Sequence, residues 1–403
     1  MTVPTENYLR RAITDLAGLD VSVDEGTAFA DAGLAGDAAW AVAPRLQRYV
    51  RPLRPILRVR PTTEDDVVRA ATVASAHGLA ILPHGAGEAP LSRVPALAVD
   101  LRGYTGMVAS GPGWCRARAG TVLFDLDELL RGFGEELRVF DSRKRLATVG
   151  AFTANGGAGV GSLRHGAMTE PGNIDAVRLV TSGAAPRAVE LAGDDPMLRH
   201  LLRTGAVITE VEMPSALAWA WREMVVSFPD LDAAARFALA IGEAEGLEVK
   251  DVSPVCAQVA GQLTPLSLPG GLAAALCTVA PHSRSGLLAA AYRHGGRLLV
   301  DTAAGSGPDG IPLYEYTWGG SMRWVKNRFP CLTTVKITLP RTDPMRYLAR
   351  LTENLPGPRW AALNHLRADG VQRLQLLLGV DGENPGALSA VSDRALELGC
   401  LPS

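Results

Sequence analysis

The sequence predicts an α+β fold in two main parts. Residues 54–214 mix short apolar strands with few helices, whereas residues 215–403 repeat the order strand, helix, strand. Forty-three glycines, some of them clustered directly after strands, place turns where a ligand can approach the backbone. A 403-residue chain that is 47% apolar and 20% charged is long enough for roughly two or three domains. This composition excludes a disordered, fibrous or disulfide-stapled protein.

Charge and cysteine content narrow the classes of function. A net charge of -2 gives no electrostatic reason to expect nucleic acid or an anionic membrane, so a small-molecule substrate is the expected partner. The five cysteines are far apart and predict neither a metal site nor disulfides, which fits a reducing cytoplasm. No apolar run reaches the roughly 18 residues of a membrane span, and the polar residues 1–10 contain no signal-peptide core. We therefore expect a cytoplasmic protein.

Residues 1–53 are predicted to form an N-terminal helical segment that packs on the next domain, with helices around Tyr8–Leu16 and Ala28–Ala32. A strand-helix-strand unit follows, in which Ile56–Arg60 and Leu79–Leu82 are the strands and Thr63 caps the helix between them. The rest of residues 54–214 is predicted to contain strands at Ala96–Leu101, Met107–Ser110, Cys115–Ala119, Ile174–Thr181 and Ala206–Met213, a helix at Leu123–Phe133 and a loop from Gly150 to Gly166.

The second part, residues 215–403, is predicted to be a substrate or cap domain. Its repeated β-α-β units predict a sheet with helices on one face, the ferredoxin-like arrangement in duplicate. The boundary is expected near Pro214–Trp219. The predicted strands are Glu223–Ser227, Glu248–Val252, Ala274–Ala280, Arg297–Ala303, Leu332–Leu339, Trp360–Leu366 and Gln372–Val380, and the predicted helices are Leu231–Ala244, Ser285–Tyr292, Pro344–Asn354 and Leu388–Leu398.

Two glycine-rich segments follow predicted strands, one from Pro83 to Ala89 and one from Thr148 to Gly166. Glycine lets backbone amides approach a phosphate because no Cβ intervenes. Neither segment has the third glycine of a Rossmann fingerprint or the Gly-Lys-Ser/Thr ending of a P-loop. One such segment is explained equally well by tight turns, whereas the pair favours a ligand that contains a diphosphate.

Four segments resemble, in order and spacing, those of flavoproteins of the vanillyl-alcohol oxidase and p-cresol methylhydroxylase (PCMH) type. They are the first glycine segment, Gly120 with Asp125-Leu126, Thr148 to Gly166, and Gly205 to Glu210. The resemblance implies a two-subdomain PCMH-type FAD-binding domain over residues 54–214 that binds an extended FAD. The residues it places at the cofactor are Pro83, His84, Gly85, Ala86, Gly87, Glu88, Ala89, Thr148, Gly150, Ala151, Ala154, Asn155, Gly157, Gly159, His165, Gly166 and Ile208.

Departures from the family pattern affect how FAD is held. Glu88 stands where some members attach FAD covalently to a histidine, so the resemblance implies non-covalent FAD. His84 replaces the usual arginine, and the carboxylate of Glu88 would repel the diphosphate. Gly319-Gly320 occupy the place of an Asn-His pair that follows a similar Y-E-x-T-W segment in related proteins, and the family's C-terminal D-P-x-x-x-L-N-P-G-K segment is not found.

Four residues of the second part are candidates for catalysis: Tyr314, Tyr316, Arg323 and His365. A strand would place both tyrosine rings on one face, although sheet-packing aromatics explain them as well. His365 could face the cleft or be structural. The resemblance implies an FAD-dependent oxidase or dehydrogenase that acts on an alcohol or a hydroxy acid, in bacterial specialised metabolism. The alternative is a repurposed member that acts as a non-redox cyclase or isomerase, with FAD structural or absent.

Overall fold

The fold follows from where the apolar segments of this sequence meet. A computed structural model describes residues 11–24, 56–85, 92, 94–353 and 360–400. Within these ranges the strands form three sheets, and helices pack against them. The predicted α+β class is confirmed. None of the helices in this part of the chain is both long and apolar enough to span a membrane.

The first sheet has the strand order β1-β2-β4-β3. β2 and β3 both pair with β4 in parallel, and helix α1 connects β2 to β3, so the predicted strand-helix-strand unit is present. Thr63 caps α1 as predicted, because its hydroxyl accepts from Asp66 N at 3.1 Å. The strands are β1 (Asp20–Asp24), β2 (Ile56–Arg60), β3 (Ala80–His84) and β4 (Ala96–Asp100), and α1 is Glu64–Ala76.

The N-terminal segment differs from the helical prediction. Strand β1 pairs antiparallel with β2 and extends the first sheet, which the helical prediction had not included. Residues 11–15 are helical within the predicted Tyr8–Leu16 helix, and Ala12 and Leu16 join the core of the first domain. The predicted Ala28–Ala32 helix lies outside the described residues.

The second sheet has the order β5-β6-β10-β8-β9, and β7 pairs with the far end of β10. β10 crosses the predicted boundary, because Ser215 to Leu217 continue the strand to pair with β7. Its strands are β5 (Met107–Gly111), β6 (Trp114–Arg118), β7 (Glu135–Leu137), β8 (Ala176–Val180), β9 (Ala188–Ala192) and β10 (Val207–Leu217).

The prediction of a continuous loop from Gly150 to Gly166 is wrong. Val149–Ala154 forms helix α3, because Thr148 caps it and the apolar side chains of Val149 and Phe152 are buried. A second short helix, α4, follows within the same segment. The helices of the first part are α2 (Leu123–Arg131), α3 (Val149–Ala154), α4 (Ser162–His165) and α5 (Pro196–Arg203).

The third sheet confirms the duplicated ferredoxin-like prediction. Its order is β14-β11-β13-β12-β16-β17-β15, so the first repeat has the order 4-1-3-2 and its second strand joins the second strand of the next repeat. The strands are β11 (Arg222–Phe228), β12 (Val249–Val255), β13 (Ala273–Val279), β14 (Arg297–Ala303), β15 (Leu332–Thr338), β16 (Trp360–Ala368) and β17 (Val371–Asp381).

Both faces of the third sheet are covered, whereas the sequence predicted helices on one face. Along β13, Ala275 and Cys277 belong to the same core cluster as Phe237, while Leu276 belongs to the cluster of Tyr316 and Met322. The second cover comes from segments without β-α-β periodicity, residues 256–266 and 313–328. The helices are α6 (Leu231–Glu243), α7 (Ala257–Ala260), α8 (Arg284–Arg293), α9 (Gly320–Arg328), α10 (Pro344–Thr352) and α11 (Pro385–Glu397).

Candidate functional site

A cavity of about 1470 Å³ lies between the first and second sheets and both glycine segments contribute to its wall. It is larger than the roughly 300–1,000 Å³ of ordinary small-molecule pockets, so it has room for an extended dinucleotide. The predicted cofactor residues that line it are Pro83, His84, Gly85, Thr148, Gly150, Ala151, Ala154, Asn155 and Ile208. Ala86, Gly87, Glu88 and Ala89 lie outside the described residues.

Gly85 and Gly150 lie in parts of the cavity wall that are packed too closely for a side chain. A Cβ on Gly85 would lie 2.4 Å from Thr148 Oγ1, and a Cβ on Gly150 would lie 2.6 Å from Ala119 Cβ. The loop after β3 therefore touches the start of α3 directly. This contact explains why both segments are rich in small residues, and it leaves backbone rather than side chains facing the cavity at these positions.

His84 closes one end of the cavity within a buried charged cluster. Its Nδ1 lies 3.3 Å from Arg58 Nη1 and 3.8 Å from Asp100 Oδ1. Burial opposes the ionisation of Asp100, but hydrogen bonds from the side chain and backbone of Arg102 lower its pKa to about 2. The carboxylate is therefore ionised at neutral pH and orients cationic and imidazole groups beside the glycine loop.

Four predicted cofactor residues do not line the cavity: Gly157, Gly159, His165 and Gly166. Gly159 is needed for packing, since its Cβ would lie 2.1 Å from the carbonyl oxygen of Phe140. Burial and neighbouring positive charges, Arg138 foremost, lower the pKa of His165 to about 4.

Among the cavity residues that sequence reasoning missed are two groups from separate elements. Helix α5 contributes Leu198, Arg199 and Arg203, after Asp195 caps it through Met197 N at 2.8 Å. The tip of the β16–β17 hairpin contributes Asp369-Gly370, a two-residue turn with φ of 51° and 75°. An Asp-Gly dipeptide is typical of a hairpin turn, but nothing in the sequence places this turn against a cavity of the first domain.

The junction between the two domains is a buried ionic cluster centred on Glu136. Lys250 Nζ lies 2.6 Å from Glu136 Oε1, and Arg131 Nη2 lies 2.6 Å from Oε2. Trp221 Nε1 also donates to both oxygens, at 2.9 and 2.8 Å. Two of the chain's four lysines, Lys144 and Lys250, lie over the ring of Phe140 at 4.6 and 5.1 Å.

The two tyrosines among the predicted catalytic residues do not share a face. Leu313–Tyr316 is a 3-10 turn and not a strand, so side chains two residues apart diverge. Tyr314 packs edge-on against Phe140 of the first domain, with ring centroids 5.5 Å apart. Tyr316 is fully buried against Trp324 in the second domain.

His365 lies on the side of the third sheet that faces α6, away from the cavity. A Cβ on Gly242 of α6 would lie 2.3 Å from His365 Cε1, so the ring fills the space that this glycine leaves. Burial lowers the pKa of His365 to about 3, which keeps the imidazole neutral. Of the four predicted catalytic residues, Tyr314 and Arg323 are the two that contact the first domain through side-chain groups.

Comparison with known proteins identifies the first domain. Residues 55–185 match the family described as FAD binding domain. The matched residues therefore form an FAD-binding domain of the PCMH type. This confirms the resemblance drawn from the glycine segments, and FAD is the cofactor that the domain binds. A search of curated protein sequences finds no significant match.

Solved structures share the fold of this flavoprotein at low sequence identity. Two crystal forms of an alkyldihydroxyacetonephosphate synthase match 86% of the chain and 72% of the synthase with a TM-score of 0.67, at 13% and 14% identity. A variant of the Physcomitrella patens BBE-like 1 protein matches 95% of this chain and 87% of its own, with a TM-score of 0.64 and 15% identity. These similarities establish a common fold.

The residues of the cavity fit FAD. The backbone of Gly85 and Gly150 lines the cavity with no side chain in front of it, which allows a diphosphate to approach closely. The small side chains of Ala151 and Ala154 line the neighbouring part of the wall. The cationic side chains of Arg199 and Arg203 and the imidazole of His84 also line it. When bound, FAD would supply a two-electron acceptor to the domain junction.

We expect Gly85→Ala to weaken FAD binding at least about tenfold, because the new methyl displaces Thr148, the cap of α3, from the cavity wall. Titration of the FAD-free protein with FAD, followed by quenching of flavin fluorescence, measures the Kd. Gly103→Ala is the matched control, since a Cβ there meets nothing within 4 Å. Equal affinities for the two variants would show that this contact does not shape the site.

Asp251, on β12, is a buried carboxyl group at the junction. Trp318 Nε1 donates to Oδ1 at 2.8 Å and Ser253 Oγ donates to Oδ2 at 3.0 Å. Burial raises its pKa to about 7 despite these hydrogen bonds. Trp318 adopts a φ of 50°, a left-handed conformation that costs energy for a side-chain residue, so the hydrogen bond to Asp251 helps to hold a strained turn.

The shifted pKa of Asp251 predicts a pH-dependent stability. Because the folded-state pKa lies above the unfolded value of 3.8, the contribution of Asp251 is fully present below that value and is lost as the pH rises towards 7. We expect Asp251→Asn to gain stability relative to the native protein as the pH rises from 4 to 7, on the order of a few kcal/mol at the upper end of this range. Urea unfolding across this range measures the difference. The exposed Asp125→Asn control should show no such slope.

Proposed function

We propose that this flavoprotein is an FAD-dependent oxidoreductase that holds FAD non-covalently and oxidises an alcohol or a hydroxy acid in bacterial specialised metabolism. The observation that carries the proposal is the cavity of about 1470 Å³ whose wall combines both glycine segments with the edge of the second domain. An extended cofactor placed there would end near the domain junction, where a substrate can meet it.

Non-covalent binding is supported by the residues available for a covalent bond. Among the described residues that line the cavity, His84 is the one histidine, and no cysteine is present. The ring of His84 is buried and its Nδ1 lies beside Arg58 and Asp100. The position that carries a linking histidine in some relatives is Glu88, whose carboxylate forms no stable bond to a flavin ring.

The junction offers groups that can orient a substrate and hold a proton. Tyr314 and Arg323 face the first domain, and burial raises the pKa of Tyr314 to about 12, so its hydroxyl stays protonated at neutral pH. A neutral phenol and a cationic guanidinium can donate hydrogen bonds to a substrate oxygen and fix its orientation. The apolar rings of Phe140 and Trp318 help to exclude water from this region.

The visible absorption spectrum of the purified protein tests the proposal. We expect the bands of oxidised flavin, release of FAD on denaturation, and bleaching when an oxidisable substrate is added without oxygen. A small panel of short-chain alcohols and 2-hydroxy acids is the first set of substrates. Failure of every member to bleach bound flavin, with products formed from a substrate in the absence of FAD, would contradict a redox function.

The second candidate is a non-redox cyclase or isomerase that keeps FAD as a structural element or has lost it. It is favoured by the glycine pair Gly319-Gly320 and by the distance of His365 and Tyr316 from the cavity wall, which together leave few acid–base groups for redox chemistry. Such an enzyme would shape its substrate by proximity. Turnover that is unchanged after FAD removal would support it over the oxidoreductase.

A further inference from the structure

A second, smaller cavity, the α6 pocket, lies where helix α4 of the first domain meets the second domain. Its volume is about 200 Å³. Because a water molecule takes about 30 Å³ of the liquid, this space has room for a ligand of roughly seven non-hydrogen atoms. Its apolar wall is formed by Leu163 of α4, by Ile241 of α6, and by Leu247 and Val249 where β12 begins.

The polar part of the α6 pocket has an excess of positive charge. Arg164 and Arg367 line it, and none of its described lining residues is acidic. Arg164 is engaged by the protein, because its Nε lies 3.1 Å from Glu248 Oε1 and its Nη2 donates to the carbonyl oxygen of Leu247. Arg367 is exposed, and its side chain makes no hydrogen bond or ion pair within the described ranges. An anion would therefore find an uncompensated guanidinium here.

Two buried polar groups beside this pocket have no hydrogen-bond partner in the part of the chain that the structure describes. Gln372 lines the pocket and donates through Nε2 to Leu163 O at 3.1 Å, but its buried Oε1 accepts from no group. His365 is fully buried, and neither of its ring nitrogens has a partner. Buried polar groups are nearly always hydrogen-bonded, so this pair indicates a partner that the protein itself does not supply.

Gly242 of α6 brings these groups to the wall of the pocket, which it also lines. A Cβ on Gly242 would lie 2.6 Å from His365 Nε2 and 3.2 Å from Gln372 Cδ. Arg367 pairs with Gln372 across the β16–β17 hairpin, and His365 precedes Arg367 by two residues, so the three side chains share one face of the sheet. Burial lowers the pKa of His365 to about 3, so its imidazole is neutral and Arg367 supplies the charge.

We propose that the α6 pocket is a second ligand site, which binds a small organic acid that carries a hydroxyl or amino group. The guanidinium of Arg367 would bind the carboxylate, Gln372 Oε1 would accept from the donor group, and the aliphatic wall would contact the remaining carbons. Such a ligand would contact α4 of the first domain and both α6 and the hairpin of the second domain, so its binding would join the domains at this point. The inference does not depend on the redox activity proposed above.

The test uses 2-hydroxyisobutyrate with the FAD-containing protein, because the hydroxyl carbon of this acid carries no hydrogen and cannot be oxidised by hydride transfer. Pivalate replaces its hydroxyl group by a methyl group, and 2-hydroxyisobutyramide replaces its carboxylate by a neutral amide. We expect 2-hydroxyisobutyrate to bind, as measured by isothermal titration calorimetry, and to raise the Tm. We expect each of the two analogues to bind about tenfold more weakly or less.

Two variants locate the binding in this pocket. Arg367→Gln removes the uncompensated charge, and Ala244→Leu fills the pocket, which Ala244 lines. We expect each to weaken the binding of 2-hydroxyisobutyrate about tenfold or more. The control is Arg293→Gln, which removes an exposed cation on α8 outside the pocket and should leave the affinity unchanged.

The outcomes separate this inference from the proposed function. Absence of binding to the native protein, or native affinity in both Arg367→Gln and Ala244→Leu, would overturn the ligand site and leave the polar groups of the pocket to water. Equal affinity for pivalate would also contradict it, because Gln372 would then recognise no donor. Since calorimetry needs no turnover, binding without any bleaching of flavin by substrates would refute the oxidoreductase alone, and bleaching without binding would refute the α6 site alone.

Discussion

Replacement of Glu136 by alanine is expected to lower the free energy of unfolding by about 3–5 kcal/mol. Glu136 is 2% exposed and accepts from three donors, Arg131, Lys250 and Trp221. Two of these donors, Lys250 and Trp221, belong to the second domain, so the carboxylate joins the domains. Its removal takes the carboxylate partner from the buried Lys250 and from the Trp221 indole N–H, and one of two carboxylates from Arg131, which costs more than the cluster contributes when intact.

Urea unfolding of Glu136→Ala measures this effect, and Glu190→Ala is the control. Glu190 pairs with Arg116 at 2.7 Å on the surface with 43% of its side chain exposed, so its removal should cost less than about 1 kcal/mol. We also expect the two domains of Glu136→Ala to separate more readily, seen as faster proteolysis near residues 214–221. Equal losses for the two variants would show that the buried cluster does not hold the junction.

Much of the fold was predictable because the relevant signals are local. Ala273–Val279 is a mostly apolar run too short for a helix, and Leu231–Glu243 repeats its apolar positions with helical spacing. The alternation of Tyr314 and Tyr316 with a charged residue imitates the period of a strand, but Leu313–Tyr316 is a 3-10 turn. Its actual conformation is set by contacts with distant residues, since Leu313 N donates to Glu223 Oε1.

The two glycine segments at the cavity could be predicted from the sequence, whereas the ionic cluster at the domain junction could not. Gly85 and Gly150 each lie in a short glycine-rich stretch, so the need for a residue without a side chain is visible in the local sequence. The structure places both glycines on the cavity wall. Glu136 and Lys250 are 114 residues apart and are brought together by the docking of two sheets, which no short window of sequence records. His365 had a plausible spacing for the cleft, but a sheet has two faces and only the packing of α6 decides which one a histidine occupies.

The largest effect expected from a single added methyl group is that of Gly161→Ala. Gly161 has a φ of 98°, and a Cβ would lie 1.9 Å from the carbonyl oxygen of Arg138. The left-handed conformation costs a side-chain residue about 1–2 kcal/mol, and relief of the clash requires a backbone shift that costs about 1–3 kcal/mol more. We expect a total loss of about 2–5 kcal/mol.

That shift would also reach the cofactor site and the domain junction. Gly161 N donates to Lys250 O at 3.2 Å, and the preceding Val160 exchanges backbone hydrogen bonds with Phe140, the ring under Lys144 and Lys250. We therefore expect Gly161→Ala to lose FAD as well as stability, measured by flavin content after purification and by urea unfolding. Gly183→Ala separates the two causes, since Gly183 has a φ of 101° but nothing lies within 4 Å of its Cβ position. If Gly183→Ala lost as much stability as Gly161→Ala, backbone strain alone would account for the effect, and the contact with Arg138 would have no role in holding the segment beside the cavity.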